Sequence, residues 1–147
     1  MRMNDVNRIR RIVAYYRKIF NTSNPFEIAD RLGVLYQFGN CKFAGCYMFL
    51  KNHRYIFLSN DLTDNESVLV MAHELGHAIL DRKENCYFIR NKTLFSVSKF
   101  ERRANMFAAH LLVTDDMLME YVGCTKDKFC ACTGYPKELI ELRLKNI

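Results

Sequence analysis

The sequence predicts an α+β fold, a mainly helical domain with a small antiparallel or mixed sheet. Apolar residues recur at helical spacing near the N-terminus and again through the second half of the 147-residue chain. Between these parts, residues 34–59 are instead rich in aromatic and β-favouring residues. The composition, 50% hydrophobic and 26% charged, is that of a globular domain and excludes a disordered chain. The order of helices, sheet and helices is typical of α+β proteins.

The N-terminal segment predicts two helices. Apolar residues recur at helical spacing over residues 5–20, which predicts an amphipathic helix with its arginines outward. A short second helix should follow it, with Asn24 as the N-cap and Pro25 at the first helical position. Gly33 suits the end of this helix, because glycine tolerates the left-handed conformation that often follows a last turn.

The middle of the chain changes character. Aromatic and β-favouring residues, punctuated by glycines and a polar stretch, predict two or three short strands within residues 34–59. The clearest pair is a hairpin formed by about residues 43–50 and 54–59. The predicted sheet is therefore small and lies between two helical parts of the sequence.

Helical patterns return in the second half of the chain. Thr63 and Glu66 fit the capping-box pattern, which predicts the start of a long helix over about residues 64–81. Residues 82–97 show no clear periodicity and are predicted to be a loop. A further amphipathic helix is predicted over about residues 98–113.

The C-terminal part predicts shorter helices. Thr114 is a candidate cap of a short helix that stops before Gly123, and a final helix should begin at Pro136. We therefore expect one domain over residues 1–113 and a helical extension, residues 114–147, packed on the same domain.

Composition and charge exclude several classes of protein. No apolar run approaches the roughly 18 residues of a membrane span, and the N-terminus lacks the apolar core of a signal peptide. Six irregularly spaced cysteines indicate reduced thiols, so we expect a cytoplasmic protein with no membrane partner. Residues 1–60 carry 10 Lys/Arg against 3 Asp/Glu. We interpret this excess as a solvated helix face, with nucleic-acid binding as the weaker alternative, because no nucleic-acid motif accompanies it.

The segment His73-Glu74-Leu75-Gly76-His77 lies inside the predicted long helix and points to metal chemistry. His73 and His77 are four residues apart, so both imidazoles share one helix face and can reach one ion. Neutral imidazole suits Zn²⁺, which makes zinc the expected cofactor. Glu74 is offset by about 100° from His73, which can place its carboxylate beside the open position of the metal as a general base.

A third ligand must come from elsewhere, because hydrolytic zinc usually has three protein ligands. Glu101 on the next predicted helix is a candidate, and Asn105, one turn later, could accept a hydrogen bond from a ligand imidazole. The alternative is that Glu101 forms a capping box with Ser98. Spacing alone leaves these two interpretations open. Cys86 is also available, but it lies in the aperiodic segment with no motif around it.

Two segments carry a resemblance to a known family. They are Val70–Ala78, which surrounds the pentapeptide, and Glu101–Leu112, which reads Glu-x-x-Ala-Asn-x-Phe-Ala-Ala-x-Leu-Leu. These segments resemble the ImmA/IrrE family of metallopeptidases, and the likeness covers about residues 5–113. The sequence departs from the family pattern at Arg103, where many members have a second acidic residue, and at Thr114, where many have proline.

The resemblance implies a zincin-like fold and a set of roles. His73, His77 and Glu101 would bind zinc, and Glu74 would be catalytic. It also implies a protein substrate, since many members act on a helix-turn-helix repressor and are often encoded by phages or mobile elements. A non-catalytic, metal-binding regulator that acts by protein or nucleic-acid binding is the alternative, although a purely structural zinc site has no use for Glu74.

Two further expectations concern the substrate. An oxyanion that forms during acyl transfer needs a donor besides the metal. The sequence offers four candidates without choosing among them: Tyr47, His53, Tyr87 and His110. In addition, the strand that carries Gly45 and Tyr47 could pair with an extended substrate by strand addition.

Overall fold

The computed structural model describes residues 2–88 and 98–145, with the backbone alone for Cys86–Phe88. In chain order, the described residues form α1 (Met3–Phe20), α2 (Pro25–Leu32), β1 (Leu35–Gly39), β2 (Gly45–Leu50), β3 (His53–Ser59), α3 (Asp64–Leu80), β4 (Cys86–Phe88), α4 (Lys99–Leu112), α5 (Asp115–Glu120), α6 (Lys126–Thr133) and α7 (Lys137–Arg143). The predicted α+β class, mainly helical with one small mixed sheet, is confirmed.

The four strands form a mixed sheet in the order β1-β3-β2-β4. β1 runs parallel to β3, whereas β2 is antiparallel to both β3 and β4. Lys51 and Asn52 connect β2 to β3 with φ angles of 49° and 62°, as in the tight turns whose twist suits a hairpin. The expectation that the strand of Gly45 and Tyr47 pairs with a substrate is wrong at these residues, because β3 pairs with one edge of Gly45–Tyr47 and β4 with the other.

Two elements differ from the prediction. The segment predicted to be a loop contains β4, a three-residue strand that is too short to show periodicity and forms by pairing with β2. The rest of that predicted loop, residues 89–97, lies outside the described residues. α6 was not predicted, because eight residues with little apolar patterning give a weak helical signal, although Thr125 accepts a capping bond from the Lys128 amide.

The helix α3 is the centre of the molecule. The sheet packs on it through β2 and β3, while α2 and α4 pack on other sides. Every residue from Val70 to Ala78 is buried, including the histidines and Glu74. A helix that is surrounded by other elements cannot keep a polar face in water, so its polar residues need partners inside the fold.

The C-terminal end of α4 is held by two arginines from other helices. Arg17 of α1 donates hydrogen bonds to the carbonyl oxygens of His110 (2.8 Å) and Leu111 (3.1 Å). Arg143 of α7 donates to the carbonyl oxygen of Val113 at 2.7 Å. The last carbonyls of a helix have no partners within the helix, and positive charge is favourable there. These contacts tie the extension, through α7, to the same core as α1.

Among the described residues, no helix combines the length and the apolar character that crossing a bilayer requires.

Candidate metal centre

Two helices bring the predicted ligand residues together. His73 and His77 lie on one face of α3, and Glu101 reaches them from the first turn of α4. Nε2 of His73 is 3.0 Å from Oε2 of Glu101, and Nε2 of His77 is 3.1 Å from Oε1. The two Nε2 atoms are themselves 3.1 Å apart. Two ring nitrogens and a carboxylate therefore converge on one point.

The donor set can hold a metal ion. Ligand atoms of His73, His77 and Glu101 all lie within 4.8 Å of one another, and all three residues are buried. Nitrogen and oxygen ligands at about 2.0–2.2 Å from a tetrahedral ion are separated by roughly 3.3–3.6 Å, a few tenths of an ångström more than these contacts. Within the described parts of the chain, this is the one group of His, Cys, Asp or Glu side chains with such an arrangement.

A close approach of α3 and α4 lets Glu101 reach the histidines. A Cβ atom at Gly76 would lie 3.1 Å from Cα and 3.2 Å from the carbonyl oxygen of Ala104. Both neighbours are backbone atoms, which cannot turn aside as a side chain can. Gly76, inside the pentapeptide, and the small residue Ala104 therefore allow α3 and α4 to lie close together.

The carboxylate of Glu74 lies in the interior of the fold. The residue is 0% exposed, and neither of its carboxylate oxygens has a hydrogen-bond partner among the described residues. Burial, together with the charge of Glu101, raises the pKa of Glu74 well above its usual value. Gly45 packs closely against this part of α3, since a Cβ atom there would lie 2.6 Å from Cγ1 of Val70. A buried, perturbed carboxyl next to a metal-ligand cluster is typical of a functional site.

The charge states of the cluster suit a cation. Burial lowers the pKa of His73, which favours the neutral imidazole that binds metals. For Glu101, burial acts to raise the pKa, but hydrogen bonds from His73 and His77 outweigh it and hold the pKa below its usual range. Asn105, one turn after Glu101 and also buried, acts to raise the pKa of His73, against the larger effect of burial.

The structure does not contain the alternative capping box. Ser98 is the N-cap residue of α4, but it makes no side-chain cap hydrogen bond. The carboxylate of Glu101 points to the two histidines instead.

Comparison with known proteins agrees with this geometry. Residues 42–144 match the model of the M78 peptidase family, described as an IrrE N-terminal-like domain. The chain belongs to this family. It is 36% identical over 130 residues to "Uncharacterized immunity region protein 2" of Bacillus phage phi105, covering 86% of this chain and 82% of that protein. It is 34% identical over 139 residues to "Metallopeptidase ImmA" of Bacillus subtilis (strain 168), covering 88% and 80%. The resemblance stated from the motifs is confirmed, and the protein is a member of a metallopeptidase family with phage-encoded relatives.

In this M78 family member, Arg103 is paired across the two ligand-bearing helices. Its guanidinium donates to the carboxylate of Asp81, with Nε 3.2 Å from Oδ2 and a second bond from Nη2 to Oδ1. The side chains of Arg103 and Asp81 are only 17% and 8% exposed. Asp81 follows the last turn of α3 and Arg103 lies one turn into α4, so the pair joins these helices beside the cluster. Sequence reasoning noted Arg103 but not Asp81, because no local pattern connects residues so far apart.

The structure shows the positions of three of the four candidate oxyanion donors. Tyr47 is fully buried, and its hydroxyl donates to the carbonyl oxygen of Arg82. His53 is exposed, with its ring edge-on to Tyr55. His110 lies roughly 13 Å along α4 from Glu101. The side chain of the fourth candidate, Tyr87, lies outside the described residues.

Proposed function

We propose that the protein is a zinc-dependent endopeptidase, in which His73, His77 and Glu101 hold the metal and Glu74 is the general base. The observation that carries this proposal is the buried His–His–Glu cluster beside a buried carboxyl group, in a chain of a peptidase family. Two imidazoles and one carboxylate form a donor set that zinc hydrolases use, with the fourth position left open.

Each residue contributes a distinct part of the chemistry. A bound Zn²⁺ supplies Lewis-acid polarisation of the scissile carbonyl and lowers the pKa of water towards about 7. Glu74 takes the proton of the attacking water and passes it to the leaving amine. Its surroundings contain no other hydrogen-bond partner for the carboxylate among the described residues, which leaves both oxygens available for this transfer. Asn105, which lies one turn after Glu101, would help to orient the imidazole of His73.

We propose a helix-turn-helix transcriptional repressor, or a similar regulator, as the substrate. The ImmA/IrrE resemblance implies this substrate class, and one relative is a phage immunity region protein. Site-specific cleavage of one regulator requires binding energy from parts of the substrate remote from the scissile bond. We therefore expect cleavage of the whole repressor and poor cleavage of short peptides and of unfolded proteins in general.

The division of the chain is also a proposal. Residues 1–113 would form the peptidase domain, and residues 114–147 an extension packed on it. In support, Leu139, Ile140 and Leu142 of α7 belong to the same buried core as the residues of α3 and α4.

The deciding experiment replaces Glu74 with Gln. This variant keeps the shape of the side chain and removes the base, so zinc should stay bound while repressor cleavage falls by about 100-fold or more. Glu120→Gln, the same change at an exposed position of α5, is the matched control and should cleave at the wild-type rate. If sequencing of the neighbouring genes identifies a repressor, that repressor is the substrate to use.

Two outcomes would contradict the assignment. Undiminished cleavage by Glu74→Gln would remove Glu74 from the reaction. Binding of the intact repressor with no cleavage by any variant would instead identify a metal-binding regulator.

A further inference from the structure

One edge of the sheet is open along β1. In the strand order β1-β3-β2-β4, β1 pairs with β3 alone among the described residues. Its sequence, Leu-Tyr-Gln-Phe-Gly, contains no proline and no charged residue, and its register with β3 is continuous over all five residues. Proteins usually protect an edge strand with charges, proline or a bulge, because its unpaired backbone groups can bind another strand. β1 has none of these protections.

The backbone groups at this edge follow from the pairing with β3. The carbonyl oxygen of Gly39 accepts a hydrogen bond of 3.0 Å from the amide of Asn60, just after β3. In a parallel ladder, every second residue of a strand bonds to the same neighbour. The amide and carbonyl groups of Gln37 and Gly39 therefore face β3, whereas those of Tyr36 and Phe38 face outward. No strand among the described residues lies on that side to pair with them.

The side chains along this edge are apolar and exposed. Leu35 is 52% exposed and Phe38 is 42% exposed, and Phe57 on the adjacent strand β3 is 36% exposed. Phe26 of α2 packs against Tyr36 and Phe38, with ring centroids 5.2 Å and 6.0 Å apart. Exposed apolar side chains beside unpaired backbone groups are typical of a surface that binds another protein chain.

The edge is complementary to itself. Gln37 lies midway between the two residues whose backbone groups face outward. In an antiparallel pair of β1 strands related by a twofold axis at Gln37, Tyr36 of each copy lies opposite Phe38 of the other. Both pairs are then hydrogen-bonded pairs, so every outward amide and carbonyl group of the two strands finds a partner. The same pairing brings the aromatic clusters around Phe26 of the two copies together.

We propose that two copies of the chain associate through β1 in this register, which joins their two four-stranded sheets into one. β1 carries no charge, so two copies of a chain with net charge +6 bring no like charges together within the paired strands. For the same reason, β1 offers nothing that selects an acidic or a basic segment of another protein. The association does not depend on the proposed peptidase activity, because β3 separates β1 from β2, the strand that packs near Glu74.

Charge substitutions at Gln37 test the proposal. The twofold axis places this residue opposite its own copy in a non-hydrogen-bonded pair, in which the Cα atoms are about 4.5 Å apart. In sedimentation equilibrium of the full chain, the dimer fraction of the wild type should rise with concentration. Gln37→Lys alone and Gln37→Glu alone should each weaken the dimer by about tenfold or more, since like charges then meet. An equimolar mixture of the two variants should associate at least as tightly as the wild type.

Matched controls carry the same charges elsewhere. Asn7→Lys and Asn7→Glu change an exposed position of α1. Alone or mixed, they should dimerise as the wild type does at physiological salt, which screens the change in net charge. Circular dichroism checks that every variant is folded.

Hydrogen exchange of the backbone amides locates the contact. The amides of Tyr36 and Phe38 should exchange more slowly as the protein concentration rises. The amide of Gln37, which already bonds to β3, should be protected at every concentration.

Several outcomes would overturn the proposal. One is a wild type that stays monomeric up to about 1 mM. Others are single Gln37 variants that dimerise as the wild type does, or a mixture of them that does not associate. Protection of the Tyr36 and Phe38 amides only after a second protein is added, such as the proposed repressor, would show instead that β1 binds a strand of another protein.

Discussion

Glu101 is ionised and in contact with both histidines, yet it lies at the position where its helix would use a capping glutamate. The two roles have different consequences for the protein. Loss of a capping residue costs about 1 kcal/mol of stability and leaves a metal site alone. Loss of a ligand removes one of three attachments of the metal.

We expect Glu101→Ala to lose most of its zinc and nearly all of its activity. The number of zinc ions per chain, measured after dialysis against a mild chelator, checks this expectation. Cys86→Ser, which removes the alternative third ligand considered above, should retain its zinc and serves as the control. Full zinc retention by Glu101→Ala would show that the carboxylate is not a ligand.

The buried side chain of His110 should make the free energy of unfolding depend on pH. Burial, together with Arg143, Arg10 and Arg17, lowers the pKa of His110 to about 4, although Asp115 acts in the opposite direction. The unfolded chain, with an ordinary histidine pKa of about 6.5, therefore binds a proton that the folded chain does not. The contribution of neutral His110 to the free energy of unfolding is therefore fully present above about pH 6.5. It decreases as the pH falls towards 4.

The expected loss from His110 between pH 7 and pH 5 is about 1–2 kcal/mol. Urea unfolding of the wild type and of His110→Gln at both pH values measures it, because only the wild type contains this contribution. Equal pH slopes in the wild type and His110→Gln would show that His110 protonates freely in the folded chain.

Among the contacts between secondary-structure elements, the one between α3 and α4 decides whether Glu101 reaches the two histidines. Gly76 faces the backbone of Ala104 at a distance that an added methyl group cannot keep. A residue with a side chain at this position requires the backbone of α4 to shift by a few tenths of an ångström. Glu101 on α4 would then move away from the histidines on α3.

Gly76→Ala should therefore impair two properties at once. We expect a loss of about 1–3 kcal/mol in the free energy of unfolding, as for other overpacked contacts, together with weaker zinc binding. Gly39→Ala is the matched control, because nothing lies within 4 Å of its added Cβ atom. It should change neither property by a measurable amount. Wild-type zinc affinity in Gly76→Ala would mean that α4 can shift without moving Glu101.

Features that depend on local sequence patterns could be predicted, whereas features that depend on contacts between distant segments could not. The capping box of Thr63 and Glu66 and the Asn24–Gly33 helix are local patterns, and they form as predicted. The two histidines share a face for the same reason, since four-residue spacing alone decides it. The meeting of Glu101 with these histidines depends on how helices pack, which is why spacing left it open. β4 and the Asp81–Arg103 pair arise from tertiary contacts, so the local sequence contained no signal for them.

At the scale of the whole molecule, the proposed metal joins the two most central helices. α3 supplies two ligands and α4 supplies one, and both helices contribute to the common core. A ligand that binds only the folded chain stabilises it according to its concentration and affinity. The metal should therefore act as a tertiary cross-link as well as a catalytic group.

Removal of the metal should lower the stability of the entire chain. With zinc at about one hundred times its dissociation constant, the expected loss on adding a chelator is about 3 kcal/mol, visible as a lower melting temperature. Glu74→Gln should show the same shift, since it retains the ligands. Glu101→Ala should show little shift, because its zinc is already lost. A chelator that leaves the wild-type melting temperature unchanged would rule out the cross-link.

The pairing of Asp81 with Arg103 has a consequence for how relatives of this protein vary. An acidic residue at the position of Arg103 would place two carboxylates against each other between the helices, which is unfavourable for both. Substitution at one position should therefore be accompanied by substitution at the other. Across an alignment of relatives, we expect an acidic residue at the equivalent of Arg103 to occur with a neutral or basic residue at the equivalent of Asp81. Independent variation of the two positions would show that other lineages hold these helices together by a different contact.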